Sequence, residues 1–299
     1  MPGDKQSSSV LITGATDGLG RAAALLLAER GYRVFAAGRS AEKRAQLDSL
    51  AREHNLPLET IEMDVCEDSS VKRGVAAILA KVSSVDVLIN NAGFGYYATV
   101  EDLRMEDLRR QFETNLFGVV RVTQAVLPGM REQRSGRIIN VSSVAGKVAP
   151  PLFGAYSGSK FALEGLSDAL RLELYPFGIH VILIEPGYIP TGFQKISGEL
   201  SSYYFDAAKS GPYARVYENA ARSTSSSRQN SRSTPDDFAG VVLHAIETPR
   251  PNPRYTITAL AAITRWGKRI LSDRAIDALL RKRYGLRRET PSPRGTRDS

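Results

Sequence analysis

Cysteine is all but absent from this chain: one residue, Cys66, in 299, so no disulfide can form within it and nothing points to an oxidising compartment. Histidine is scarce as well. The three, His54, His180 and His244, stand apart from every motif described below, and no His, Cys or acidic residues recur at metal-ligand spacing, so a metal is not expected. No apolar run approaches the roughly 18 residues that span a bilayer. Residues 1–9 are polar and lead straight into an apolar segment, which lacks the charged start and apolar middle of a secretory signal. A soluble, cytoplasmic protein is expected. Internal repeats are also missing.

The net charge of +8 suggests a nucleic-acid partner until it is divided along the chain. Residues 265–299 hold eleven Lys or Arg against four acids, so about +7 belongs to them and the rest of the chain is close to neutral. That segment has few aromatics, Trp266 and Tyr284, and no nucleic-acid motif, which excludes nucleic acid as the expected partner.

Apolar runs of the kind that fill a parallel sheet covered on both faces occur at 9–13, 33–37, 58–63, 85–90, 137–141, 180–184 and 254–258. Most are separated by stretches of helical period, the first over about 18–30. Strands alternating with helices imply right-handed crossovers and a doubly wound α/β sheet with helices on both faces, whose ligands sit at the carboxyl ends of the strands. Two stretches break the alternation. Residues 192–235 insert a long segment after the sixth strand, including the serine-rich run 223–227, and are expected to form a lid. In 260–299, Leu260, Ile263, Ile270, Leu271, Ile276, Leu279 and Leu280 recur at helical spacing among basic residues, ahead of a tail of about ten residues expected to be disordered.

Between the first strand and first helix lies Thr13-Gly14-Ala15-Thr16-Asp17-Gly18-Leu19-Gly20. There a pyrophosphate would meet backbone N–H groups and the positive end of the helix, and glycines allow the close approach. Its T-G-x-x-x-G-x-G spacing resembles the short-chain dehydrogenase/reductase family. The resemblance recurs in order at Asn90-Asn91-Ala92-Gly93, Asn115, Ser143, Tyr156-x-x-x-Lys160, Pro186-Gly187 and Thr191, and so covers about residues 8–192. A weaker likeness to hydroxysteroid and retinol dehydrogenases lies in Glu185-Pro186-Gly187 and the C-terminal extension. What the resemblance implies is a Rossmann-like catalytic domain over 1–259 with seven parallel strands, then a basic amphipathic extension over 260–299.

It also implies a dinucleotide held by Gly14, Thr16, Asp17, Gly18, Leu19, Gly20, Asn91, Ala92, Gly93, Tyr156, Lys160, Pro186, Gly187, Ile189 and Thr191, with Asp64 and Val65 at the adenine. NAD-specific relatives carry an acid at the end of the second strand. Here Gly38 stands in its place, followed by Arg39 and Ser40, which suit a 2′-phosphate, so NADP (NADPH) is expected, although Asp17 is placed to draw Arg39 partly away.

A free tyrosine ionises near pH 10, and a lysine one turn on is placed to lower that value, so Tyr156 is expected to act as general acid and base with Lys160 beside it. Ser143 would hold the reacting oxygen, with Ser142 the weaker candidate, and by the resemblance Asn115 would place a water linking Lys160 to solvent. The expected reaction is hydride transfer between NADP(H) and a carbonyl or alcohol carbon. The rival readings are a catalytically silent NADP-binding regulator and a sugar-nucleotide epimerase. Aromatics at Phe94, Tyr96, Tyr97, Phe153, Tyr188, Phe193, Tyr203, Tyr204 and Phe205 suit either an apolar pocket for a steroid, retinoid or fatty carbonyl compound, or the fastening of the lid. A homodimer through helices near 107–131 and 153–175 is expected. The extension is expected to dock beside the lid, with contact to an anionic membrane as the alternative.

Overall fold

The computed structural model describes residues 8–288. Seven strands form one parallel sheet in the order β3-β2-β1-β4-β5-β6-β7. They are β1 (Ser9–Thr13), β2 (Arg33–Gly38), β3 (Leu58–Glu62), β4 (Val87–Asn90), β5 (Gly136–Val141), β6 (Ile179–Glu185) and β7 (Arg254–Thr256). The strand order reverses between β1 and β4, and the crevice at such a switch is where ligands bind. As expected, the architecture is a Rossmann-like doubly wound α/β fold.

Successive residues of each strand face opposite layers. On β1, Val10 and Ile12 enter one core cluster while Leu11 enters the other. The first layer is closed by α1 (Gly18–Glu29), α2 (Ala41–Glu53) and α9 (Pro235–Glu247). The second is closed by α3 (Asp68–Leu79), α5 (Gly118–Glu132) and the end of α6 (Gly154–Leu174). Before α5, α4 (Met105–Phe112) passes into a π-helical turn, Glu113–Phe117, instead of a continuous α-helix. Such turns are rare and often mark functional sites.

The segment after β6 folds into α7 (Gly192–Ala207) and α8 (Ala214–Asn230). The serine-rich run lies inside α8. Serine is an indifferent helix former, and the helix is held by packing: Tyr217 and Ala220 are buried against Tyr96, Tyr204 and Tyr284. After β7 come α10 (Ala259–Ile270) and α11 (Asp273–Arg283). Leu280, Tyr284 and Leu286 join that third cluster, while Ile263, Ile270, Leu271 and Leu279 stay exposed. The side chains of Leu260 and Trp266, and the tail beyond residue 288, lie outside the described residues. Among the described residues no helix is long and apolar enough to cross a membrane.

Candidate active site

At the switch point two loops are stitched together. Asn91 Nδ2 donates to the carbonyls of Thr13 and Gly14, both at 3.0 Å. Thr13 Oγ1 accepts from the N–H groups of Asn91 (3.0 Å) and Ala92 (3.1 Å). Gly14 has φ +62°, and a Cβ there would lie 2.9 Å from Ala92 Cα, so only glycine fits. Asp17 caps α1, its Oδ1 accepting from Gly18 N at 2.7 Å. The first N–H groups of α1 therefore open onto the crevice, with Gly18 and Leu19 in its wall.

The end of β2 differs from expectation in one contact. Arg39 does not engage Asp17. Its Nη1 lies 3.5 Å from Asp64 Oδ2, while Asp17 is held by Lys43, from the first turn of α2. The reason is geometric. Ser40 caps α2 by accepting from Lys43 N at 3.3 Å, which turns Lys43 back over the loop, whereas Arg39 points towards β3. The Lys43 ammonium holds the Asp17 carboxyl below its ordinary value. Lys43 was not singled out from the sequence, and its only signal was its place three residues after a capping serine. At Gly38 a Cβ would come within 2.6 Å of Thr16 Cγ2, so this strand end has no room for the acid found in NAD-specific relatives. Asp64 Oδ1 accepts from Cys66 N at 3.0 Å, and Val65 is buried in the second core cluster.

Ser143 follows β5 and caps a short 3-10 turn, accepting from Ala145 N at 3.1 Å. Tyr156 and Lys160, one turn apart on α6, are both buried. The Ser143 side chain draws the Tyr156 phenol's pKa down, but burial is the larger influence and pushes it up to about 12. Burial likewise pulls Lys160 down to about 8, against the Glu164 carboxylate, which raises it. Lys160 Nζ donates to the Val141 carbonyl at 2.8 Å and lies 5.9 Å from the centre of the Tyr156 ring. The expected lowering of the phenol by Lys160 is not found: burial raises it, and the influence that draws it down is Ser143.

Asn115 sits in the π-helical turn. Its Nδ2 donates to Phe94 O (3.0 Å) and Ser159 Oγ (3.1 Å), and its Oδ1 accepts from Phe94 N (3.2 Å). After β6, the Pro186 carbonyl accepts from Val144 N at 2.9 Å, Ile189 O accepts from Gln194 Nε2 at 2.9 Å, and Thr191 caps α7.

One cavity of about 1150 Å³ joins these groups. Of the residues expected from the sequence to act in catalysis or to hold the dinucleotide, all but Gly20 and Asn115 line it, and those two brace its wall from behind. Ser142 lines it too, although its buried hydroxyl has no hydrogen-bond partner among the described residues. Phe94, Tyr97, Phe153, Tyr188, Phe193 and Phe205 face the space. Tyr96, Tyr203 and Tyr204 do not: the Tyr204 hydroxyl donates to Asp107 at 2.6 Å and Tyr203 lies under Arg104, so these rings fasten α7 to the body. Ile196 and Leu200 of α7, Leu280 of α11 and Tyr284 just beyond it, which sequence reasoning did not place at the site, complete the apolar wall.

Comparison with known proteins agrees with this geometry. Residues 8–200 match the family model of the short chain dehydrogenases. The chain is 35% identical over 270 residues to retinol dehydrogenase 8 of Bos taurus, covering 85% of each. It is 36% identical over 258 residues to human 17-beta-hydroxysteroid dehydrogenase type 1, covering 83% of this chain and 77% of that one. Among solved structures, a short-chain dehydrogenase from Streptomyces avermitilis superposes with a TM-score of 0.72 at 31% identity, covering 92% and 96%. A gluconate 5-dehydrogenase from Burkholderia cenocepacia in complex with NADP and tartrate gives 0.66 at 25% identity over 88% and 92%. A relative from Burkholderia phymatum in complex with NAD gives 0.75 at 25% identity over 92% and 96%. The chain belongs to the short-chain dehydrogenase/reductase family and is an oxidoreductase acting on alcohol or carbonyl groups.

Proposed function

We propose that the protein is an NADP-dependent oxidoreductase that interconverts an apolar carbonyl compound and its alcohol, with Tyr156 as general acid and base. The observation that carries this reading is the place of Tyr156. It is buried in the lining of the cavity that the glycine loop and the aromatic rings share, with Ser143 in the same lining and Lys160 a turn away.

The residues present fit a dinucleotide. Gly14 and Gly38 leave cradles that a Cβ would fill, the start of α1 offers unpaired N–H groups to a pyrophosphate, and Asp64 and Val65 suit the adenine. For NADP over NAD the support is the crowded Gly38, which excludes an acid, together with Arg39, Lys43 and the Ser40 hydroxyl, all in the cavity wall. The chemistry the dinucleotide supplies when bound is a hydride to or from the substrate carbon. Tyr156 supplies the proton. At neutral pH its phenol is protonated, the state needed to give a proton to a carbonyl oxygen. Ser143 holds that oxygen in line, and Lys160 keeps positive charge nearby while orienting on the Val141 carbonyl. Asn115, braced by Phe94 and Ser159, holds the turn that faces Lys160.

A steroid, retinoid or fatty carbonyl compound fits the aromatic half, and two relatives named above are a retinol and a hydroxysteroid dehydrogenase. In this reading 192–235 is a lid, since α7 and α8 supply Phe193, Leu200, Phe205 and Ala220 to the wall. Tyr156→Phe should lose turnover by roughly a hundred-fold or more and keep NADPH binding. Retained turnover would show that the proton comes from elsewhere. A panel of apolar ketones and aldehydes, read by NADPH consumption, identifies the substrate.

The C-terminal segment supports a further partner. Ile263, Ile270, Leu271 and Leu279 are exposed, Ile270 by 79%, beside the exposed Arg274, Arg281, Lys282, Arg287 and Arg288. Each basic residue contributes about 1 kcal/mol near an anionic headgroup surface. The reading is peripheral, salt-sensitive contact with an anionic membrane, and sedimentation with phosphatidylserine vesicles tests it. Equal binding by a protein lacking residues 260–299 would sink it.

A further inference from the structure

Helix α6 carries Tyr156, Lys160, Glu164 and Asp168 at four-residue intervals, hence on one face. The first two meet the reacting centre. Glu164 does not, yet it is only 5% exposed, and Glu185, the last residue of β6, is 1% exposed. A lone carboxylate taken so far from water costs several kcal/mol unless paired. These two share the same two cations. Lys147 Nζ lies 2.5 Å from Glu164 Oε2 and 3.6 Å from Glu185 Oε1. Arg254, at the start of β7, places Nη2 3.2 Å from Glu164 Oε2 and Nε 3.3 Å from Glu185 Oε1. Its Nη2 also holds Asp168 Oδ1 at 2.6 Å, which Arg171 Nη1 meets at 2.7 Å.

Three of the four elements this cluster ties together, the Ser143 turn, α6 and the end of β6, carry the active site. Lys147 directly follows the turn that Ser143 caps. Glu185 precedes Pro186, whose carbonyl holds Val144 of the same turn. Gly146, in the turn, lies flat on α6, where a Cβ would stand 3.2 Å from Glu164 Cγ and 3.2 Å from the Lys160 carbonyl. Movement of Glu164 therefore displaces the Ser143 turn against the helix bearing Tyr156. Stability alone does not explain the arrangement, because a buried ion pair is seldom better for stability than an apolar pair of the same volume. What the clamp does supply is a fixed register between a loop and a helix, and a negative charge one turn below Lys160.

We propose that Glu164 and Glu185, through Lys147 and Arg254, are positioning residues that set the Ser143 turn against Tyr156 and Lys160; this rests on the reaction proposed above. The charged groups facing Glu164 are Lys147 from the turn, Arg254 from β7 and Lys160 from its own helix, with Glu185, Asp168 and Arg171 behind them.

The test uses Glu164→Gln, which keeps shape and removes charge, in the full-length protein with NADPH. The expected result is a kcat reduced about ten-fold or more with KM and NADPH affinity within about two-fold. The alkaline limb of the kcat profile should also move to lower pH, since Glu164 is the group holding Lys160 up. Adding Lys147→Met should cost little more, because both changes open one clamp. If Glu164→Gln does not fold, Lys147→Met alone reads the clamp from the loop side, with the same loss of kcat expected. An unchanged kcat and pH profile overturns the proposal, as does a loss of kcat matched by equal losses of NADPH binding and melting temperature, which is a merely structural effect. Tyr156→Phe run alongside separates the two readings. If that variant stays active, the proposed reaction fails; if it is dead while Glu164→Gln is normal, only the clamp fails.

Discussion

Lys43 turns back from the first turn of α2 and closes an ion pair on Asp17, so the one acid in the glycine-rich loop is neutralised beside the place proposed for a 2′-phosphate. Both side chains are partly exposed, and a pair of this kind is worth up to about 1 kcal/mol and weakens with salt. Lys43→Ala leaves the Asp17 carboxylate facing that phosphate. NADPH affinity, followed by nicotinamide fluorescence, should fall about three- to ten-fold at low salt, with NADH affinity nearly unchanged. An equal loss for both would show that Lys43 does not act at the 2′ position.

Installing an acid at the end of β2 should not convert the protein to NAD. Gly38→Asp places a Cβ 2.6 Å from Thr16 Cγ2 and 2.8 Å from its Oγ1, a clash with a short branched side chain that cannot swing aside. The variant should lose about 1–3 kcal/mol of stability in urea and gain no NADH affinity. Thr16→Gly in the same chain should restore the stability and let NADH binding rise. A stable Gly38→Asp single variant that prefers NADH would refute this.

Lys160 makes stability depend on pH in a defined sense. Its folded pKa of about 8 lies below the ordinary 10.5, so the folded form releases its proton first. Between pH 8 and 10.5 the unfolded chain binds more protons, and resistance to unfolding contributed by this residue rises with pH, by about 3 kcal/mol over the window. Tyr156, raised to about 12, acts oppositely above pH 10. Urea titrations of the cofactor-free protein and of Lys160→Met at pH 7, 8, 9 and 10 isolate the effect. The native protein should gain on the variant as the pH rises, and parallel curves would mean that Lys160 is solvated.

The outer faces of two helices predict assembly. Phe117, Phe161, Leu172 and Tyr175 are exposed on and beside α6 and the π-helical turn, Leu172 by 76% and Tyr175 by 83%. These are the segments through which a homodimer is expected. Native protein should sediment as a dimer at micromolar concentration, and Phe161→Arg with Leu172→Glu should give a folded monomer. A native monomer, or a dimer untouched by the double change, would place the contact elsewhere or remove it.

The layers of this fold were legible because parallel strands covered on both faces leave continuous apolar runs, as in Val10-Leu11-Ile12 and Val181-Ile182-Leu183-Ile184. Ser143, Tyr156 and Lys160 were legible because spacing along a strand end and one helix face survives in the sequence. What was hidden depends on chain segments distant in sequence. Nothing local says that Lys43 will choose Asp17, or that Lys147, Glu164, Glu185 and Arg254 will meet. The π-helical turn around Asn115 is a change of backbone register and leaves no compositional mark. The helicity of the serine-rich run comes from rings elsewhere, Tyr204 and Tyr284, that cover Tyr217 and Ala220.

Tyr284, buried against Tyr217 at the far side of the cavity, has a consequence for the order in which the two halves of the site appear during synthesis. Every residue proposed to face the dinucleotide has left the ribosome by Thr191, but Leu280 and Tyr284 follow about ninety residues later, a delay of roughly 5–20 s at ordinary elongation rates. Through that interval the nascent chain holds the parts of a nucleotide pocket while α7 and α8 lack their final cover. A chain broken off by a nonsense codon or protease between α9 and α11 is left in the same state, with the groups proposed to hold a cofactor in hand and an open apolar floor beside them.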